Sequence, residues 1–345
     1  MTAVSSELEA TKPAPGEPLV VVENLVKHFP IQKGLLKRTV GQVRAVDGVS
    51  FTINKGETVG LVGESGSGKS TVARLIMRLM KPTSGRVDFG GQDMATISNR
   101  DLRPLRQDIQ MVFQDPFSSI NPRMTIANAI SEPLVTHKLI TSTSARRARV
   151  GELLELVGLS PNDMDKYPHQ FSGGQAQRIG IARALATNPQ LIVADEAVSS
   201  LDVSVQAQVL NLLRRLQREL GVSYLFIGHD LNVVRYISDR VCVMYMGQLV
   251  ESGPADDLMS NPQHPYTEAL VGAIASAEYT ADRGHGRVVA RGEIPSPSNP
   301  PKGCRFHTRC PFAFDRCKID EPALLQVGTG RLAACHLREK MEVGA

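Results

Sequence analysis

Residues Gly63, Glu64, Ser65, Gly66, Ser67, Gly68, Lys69, Ser70 and Thr71 read GESGSGKST, and the G-x-x-x-x-G-K-S spacing is one that holds phosphate. Glycines let the backbone wrap an anion with successive N–H groups turned inward, and a helix N-terminus adds positive potential. Lys69 is placed to neutralise β- and γ-phosphates, and the Ser70 hydroxyl to ligate Mg²⁺. Further on, LIVADE (Leu191 to Glu196) ends an apolar run in two carboxylates. Asp195 suits Mg²⁺ held through water, and Glu196 suits polarisation of an attacking water. Two adjacent acids after a strand often only cap a helix, and it is the phosphate loop upstream that favours catalysis. Between these two motifs lies FSGGQAQRIGIARAL, where Ser172, Gly173, Gly174 and Gln175 open a strong helix. That is a second exposed N-terminus able to face an anion, or simply a glycine-capped helix start.

The elements that must position these groups are legible as alternation of short Val/Ile-rich runs with longer helical patterns, which predicts an α/β domain with a largely parallel sheet. ETVGLVG reads as a buried strand and STVARLIMRLM as a helix, with the glycine-rich turn between them. LVVVENL (Leu19 to Leu25) and VRAVDGVSFTI (Val43 to Ile53) predict two strands joined by a long basic loop, QKGLLKRTVGQ. From about residue 115 to 185 the pattern is helical without strands, which predicts a helical subdomain inserted into the sheet domain. QLIVADE, SYLFIGHD and RVCVMYMGQLVESG then return to strands. The predicted division is a disordered tail over 1–18, a nucleotide-binding domain over 19–258, and a small extension rich in Pro, Gly and Cys over 259–345.

Composition narrows the classes. With 39 Lys+Arg against 35 Asp+Glu over 345 residues, the surface is only mildly basic, and nothing demands a nucleic-acid partner. No apolar run approaches the roughly 20 residues needed to cross a bilayer. The first eighteen residues carry acids and three prolines without an apolar stretch, so a signal peptide is not expected and the chain is placed in the cytosol. In that reducing compartment clustered thiols are more often ligands or catalysts than disulfides.

Taken in order, the phosphate loop, FSGGQ, LIVADE, SSLD and GHD resemble the nucleotide-binding subunit of an ATP-binding cassette (ABC) transporter. The resemblance covers nearly the whole chain and implies a RecA-like core with an antiparallel β subdomain and a helical subdomain, binding ATP and Mg²⁺. It implies that Phe29 stacks on adenine and that Gln114 touches Mg²⁺ and the attacking water and connects to the permease. It implies that Ser172, Gly173, Gly174 and Gln175 close on the γ-phosphate of ATP bound to the opposite subunit. Asp202 then crosses the dimer interface, and His229 contacts the γ-phosphate. The chain departs from the commonest family pattern at Ala197, where proline often follows the glutamate, and at Ser200, which bears on the stiffness of the loop leading to Asp202. FQDPFSSINPRMTI, DEAVSSLDVSVQAQVLNLL and NPQHPYTEAL are similar to the ATPase subunits of oligopeptide and dipeptide importers, closest to the second ATPase of the pair. That branch also imports nickel and some oligosaccharides. It implies a second homologous ATPase, two permeases, an extracytoplasmic peptide-binding protein, and a place on the cytoplasmic face of the membrane. A cassette ATPase working on DNA or ribosomes is the rival of a different class; such chains carry coiled-coil insertions or two cassettes, and neither is seen here.

Four of the five cysteines, Cys304, Cys310, Cys317 and Cys335, follow C-x5-C-x6-C-x17-C, while Cys242 sits in the strand-like RVCVMY, where an inert buried thiol is expected. Structural zinc sites usually build on short C-x2-4-C chelates, and none occurs among the four. An iron-sulfur cluster, zinc and free thiols all remain compatible with the spacing, with Arg305, Arg309 and Arg316 available to offset a cluster's charge. The resemblance implies a four-iron, four-sulfur cluster on all four cysteines. A metal staple for a coreless extension is its expected role.

Overall fold

The computed structural model describes residues 16–34, 38–278, 290 and 292–339; the tail expected over 1–18 lies outside them as far as residue 15. Among the described residues twelve strands form two sheets. In chain order they are β1 (Pro18–Lys33), β2 (Arg38–Asn54), β3 (Thr58–Val62), β4 (Ser84–Phe89), β5 (Gln92–Asp93), β6 (Ile109–Val112), β7 (Leu191–Asp195), β8 (Ser223–Gly228), β9 (Arg240–Tyr245), β10 (Gln248–Pro254), β11 (Leu325–Gly328) and β12 (Arg331–Ala333). The first sheet runs β2-β1-β4-β5 and is antiparallel throughout. The second runs β11-β12-β10-β9-β3-β8-β7-β6, parallel from β9 to β6 and antiparallel from β9 to β11.

The parallel strands are continuous apolar runs because both of their faces are covered. Side chains alternate between the faces, so each strand feeds two cores. Leu191, Val193, Leu225, Ile227, Cys242 and Met244 pack with the antiparallel sheet and the helix Lys69–Ile76. Ile192, Ala194, Tyr224, Phe226, Val241 and Val243 pack with the helices between residues 116 and 220. Cys242 is fully buried, and burial pushes its thiol up to about 12, so it is an inert core group.

Between β6 and β7 the described chain is helical, with Ile126–Thr136, Thr143–Leu156 and Gly173–Leu185 as the long elements. Capping sets where several helices begin. The Asp202 carboxylate accepts from the Val205 N–H at 3.0 Å to start Val203–Leu220, and Gly221 ends it in the left-handed region at φ 70°. Val209, Leu213 and Leu216 form its buried stripe at helical spacing.

Two features differ from the sequence expectation. The basic stretch after Leu25 is largely strand rather than loop. Pairing continues through Phe29↔Val43, Ile31↔Gly41 and Gln32↔Thr39 to Lys33↔Arg38, because Ile31, Thr39 and Val40 suit a half-exposed ribbon. The cysteine-rich extension is also not an appendage beside the core. Its strands β12 and β11 add to β10 at the edge of the main sheet, with Glu251↔Ala333 and Ser252↔Leu332 in register. Glu251 is buried there, accepting from the N–H groups of Gln263 and His264 at 2.8 Å and from Arg331 at 3.4 Å.

Candidate nucleotide site

The segments expected to bear chemistry leave the same edge of the main sheet. The phosphate loop follows β3, Gln114 follows β6, Glu196 follows β7 and His229 follows β8. In an open parallel sheet this carboxyl edge is where ligands bind.

Backbone crowding dictates the glycines of the loop. A side chain at Gly63 (φ 151°) would sit 2.1 Å from the Met244 carbonyl oxygen, and one at Gly68 (φ 108°) would sit 2.2 Å from that of Ala45. Gly66 is left-handed at φ 81° and faces open space. Gly68 begins the helix Lys69–Ile76 without any side-chain cap, which leaves the first N–H groups, those of Lys69, Ser70 and Thr71 among them, to a ligand. The loop is held below by the Gly247 N–H, which donates to the Ser67 carbonyl at 2.9 Å.

Lys69 is buried and folded back on the loop. Its ammonium donates to the carbonyls of Gly63 at 2.6 Å and Glu64 at 3.0 Å and approaches the Ser67 hydroxyl at 3.5 Å. Burial draws it below the ordinary lysine value, while Glu196, Asp195 and Glu64 pull it back up. The Ser70 hydroxyl donates to Asp195 Oδ1 at 3.0 Å, so the two groups expected to share Mg²⁺ already touch. Asp195 is raised above the carboxylate range chiefly by burial, with the charge of Glu196 adding to it. A divalent cation beside it would favour the ionised form.

Glu196 lies one residue past β7 with φ 51°, a backbone region that side-chain-bearing residues rarely occupy. Its own hydrogen bonds over-determine this conformation. The Glu196 N–H donates to the Ile227 carbonyl at 3.0 Å, and its carbonyl accepts the Ser199 N–H at 3.1 Å and hydroxyl at 2.9 Å. Glu196 Oε1 sits 3.6 Å from Nδ1 of the exposed His229. Such strain costs about 1–3 kcal/mol and persists where a side chain must be aimed. The turn lacking proline at Ala197 is thus stiffened by Ser199, and Ser200 adds a tie by donating to the Gln114 carbonyl at 3.1 Å.

Other expected residues are placed as follows. Gln114 is exposed two residues beyond β6. Phe29 is exposed on β1, with the Lys27 ammonium 5.3 Å above its ring. Ser172 caps Gly173–Leu185 in a reciprocal box: its hydroxyl accepts the Gln175 N–H at 3.3 Å, and Gln175 Oε1 accepts the Ser172 N–H at 3.0 Å. Gly174 is required by packing, since a side chain there would meet Val205 at 2.2 Å. Among the described residues no hydrogen bond or ion pair joins 172–175 to the phosphate loop of the same chain. Asp202 is held below the usual carboxylate range by the Val205 N–H and the Ser204 hydroxyl.

The four clustered cysteines line one small cavity with His264, Phe306 and His336. Burial pushes Cys304 up to about 12 and Cys310 up to about 11, so these thiols stay protonated near pH 7 unless a cation displaces their protons. The arginines expected to offset a cluster's charge are committed elsewhere, because nearby carboxylates are better partners. Arg305 pairs with Asp47 and the Met246 carbonyl, Arg309 with Glu64, and Arg316 with Glu339 at 2.6 Å. The Arg309–Glu64 pair, the Ser200 tie and the Tyr266 hydroxyl that accepts the Glu64 N–H at 2.8 Å have no counterpart in the sequence reading. Separations of 245, 86 and 202 residues leave no local signal.

The chain matches the ABC transporter family over residues 46–199 and the oligopeptide/dipeptide transporter C-terminal region over residues 250–317. It is 53% identical to the oligopeptide transport ATP-binding protein AppF of Bacillus subtilis, over 93% of this chain and 98% of that one. It is also 53% identical to the probable peptide ABC transporter ATP-binding protein y4tS of Sinorhizobium fredii, over 93% and 90%. Among solved structures it resembles the dimeric post-hydrolysis state of the ATP-binding cassette MJ0796 bound to ADP and Pi. There the TM-score is 0.61 at 32% identity, covering 68% of this chain and 98% of that one. A phosphate loop, acid pair and histidine on one sheet edge, in a chain this similar to such proteins along nearly its full length, place it in the ABC transporter family, among the ATP-binding subunits of the oligopeptide/dipeptide branch.

Proposed function

We propose that this chain hydrolyses ATP to power import of oligopeptides or dipeptides, paired with a second homologous ATPase subunit. Two permeases and an extracytoplasmic peptide-binding protein would complete the transporter. The observation that carries this reading is the Ser70–Asp195 contact, which brings the two halves of a Mg²⁺-nucleotide site together beside Glu196, on a chain whose remaining length matches a peptide-transporter region. Lys69 and the loop N–H groups would hold the phosphates, and Phe29 the adenine. Ser70, Asp195 and Gln114 would hold Mg²⁺, which offsets phosphate charge when bound. Glu196 would take a proton from the attacking water, and His229 would contact the γ-phosphate.

Ser172 and its helix would meet ATP held by the partner ATPase, with Asp202 crossing beside it. That arrangement accounts for a capped, exposed N-terminus with no tie to its own phosphate loop. ATP would then favour the closed pair and hydrolysis the open one, in proportion to their differential affinity. Among the described residues no helix is long and apolar enough to cross a membrane, so the permeases would hold the chain at the cytoplasmic face. A groove of about 350 Å³ is lined by Leu79, Glu132, Arg183 and Phe113, the residue preceding Gln114, and would receive a permease segment. In a peptide-auxotrophic host, import-dependent growth on defined di- to pentapeptides should vanish when the chromosomal copy carries Glu196→Gln. Unimpaired growth would refute the assignment.

The cysteine cavity supports a four-iron, four-sulfur cluster. All four cysteines of the extension line that one space. Cys304, Cys310, Cys317 and Cys335 would be the ligands, and the cluster would staple the extension. Anaerobically purified protein is expected to show a visible charge-transfer band and about four irons per chain, both lost in Cys317→Ser. Stoichiometric zinc with no visible band would exclude the cluster.

A further inference from the structure

Glu64 is the second residue of the phosphate loop, and both its backbone and its side chain are gripped from the far end of the chain. Arg309 of the cysteine-rich extension donates two parallel bonds to it, Nη1 to Oε2 at 2.7 Å and Nη2 to Oε1 at 3.0 Å. The pair is largely withdrawn from water, with side-chain exposures of 9% and 26%. The guanidinium lies 5.8 Å from the Tyr245 ring and 5.9 Å from the Phe306 ring, and Nη1 reaches the Tyr245 hydroxyl at 3.4 Å. Tyr245, Tyr266 and Phe306 pack against one another at 4.6 to 5.4 Å, and it is Tyr266 that accepts the Glu64 N–H. The Glu64 carbonyl, in turn, accepts the Lys69 ammonium.

Charge gives the pair a purpose. A carboxylate inside a loop that must accept a polyphosphate repels it unless something neutralises that carboxylate, and a bidentate guanidinium does so while fixing its orientation. We propose that Arg309 is a positioning residue for ATP. It neutralises Glu64 and holds the start of the phosphate loop in its anion-binding shape, so that nucleotide affinity depends on the extension being docked. The inference rests on reading residues 63–71 as the ATP site. Arg305 anchors the same extension independently, on Asp47 and the Met246 carbonyl, so removing Arg309 leaves the extension attached.

The test is equilibrium binding of Mg²⁺-ATP to the full-length protein by titration calorimetry. It compares wild type, Arg309→Ala, Arg309→Lys, Glu64→Gln and the Glu64→Gln/Arg309→Ala double variant, with circular dichroism and thermal midpoints alongside. Arg309→Ala should weaken Kd about tenfold, and Arg309→Lys should recover part of that loss. In the Glu64→Gln background the same alanine substitution should change Kd by less than about twofold, since the charge to be neutralised is gone. An Arg309→Ala variant within about twofold of wild type overturns the proposal, and so does an equal loss in both backgrounds, which would make Arg309 a support of the extension only. If Arg309→Ala does not fold, Arg309→Lys and its Glu64→Gln double decide by the same comparison. Wild-type protein that fails to bind Mg²⁺-ATP overturns the site reading and this proposal with it, whereas with normal wild-type binding any failure of the variants falls on Arg309 alone.

Discussion

Replacing Glu196 with glutamine should lower ATP turnover by the assembled transporter at least about 100-fold while leaving nucleotide affinity within about threefold of wild type. The expectation follows from where the side chain is held. Its backbone is fixed in the left-handed region by bonds to Ile227 and Ser199, and glutamine occupies that region with the same strain and nearly the same volume. The carboxylate lies 3.6 Å from His229 and makes none of the contacts that hold the phosphate loop together. The substitution therefore removes a proton acceptor and one negative charge beside Lys69 and Asp195, and breaks no hydrogen bond of the phosphate loop. Because hydrolysis is what would release the paired subunits, the variant should also accumulate as an ATP-dependent dimer, visible by size-exclusion chromatography. Phosphate release at saturating ATP gives the first readout and equilibrium titration the second. Turnover within about threefold of wild type would remove Glu196 from the reaction.

Lys69→Ala should have the opposite signature, a loss of nucleotide affinity of about 100-fold or more. The ammonium is the one cation among residues 63–71. It is also buried, so the charge it offers a phosphate is poorly screened by water. Its bonds to the Gly63 and Glu64 carbonyls are exchangeable: a phosphate group is a stronger acceptor and would draw the side chain off them. Removing the side chain leaves those carbonyls partly unsatisfied, so a lower thermal midpoint should accompany the binding defect. Titration at a temperature well below that midpoint separates the two effects. Affinity within about threefold of wild type would mean that the loop amides alone hold the phosphates.

The groups proposed for the reaction are legible in sequence because each rests on a contiguous segment. Gly63 and Gly68 are imposed by backbone crowding, Asp195 and Glu196 follow an apolar run, and Ser172 begins a helix that a serine and two glycines announce. Pairings between segments are not legible, since topology alone creates them. Nothing near Arg309 in the chain marks Glu64 as its partner, and Arg309 reads locally as a counter-charge to the cysteines beside it. Ser200 likewise looks like a departure from a family pattern until β6 and β7 are laid side by side and Gln114 comes within reach of its hydroxyl. The full length of the hairpin β1–β2 is hidden for a related reason: basic residues mask strand propensity when both faces of a ribbon are partly wet.

The position of β12 carries a consequence for biosynthesis. This three-residue strand lies near the end of the chain yet sits inside the sheet order, between β10 and β11. Until it emerges from the ribosome, β10 presents an open row of backbone donors and acceptors, the arrangement by which nascent chains pair with one another. A stop codon before Arg331 would therefore yield more than an ATPase lacking its cysteines. It would yield a protein whose β10 edge stays open to pairing, an edge that translation through β12 covers.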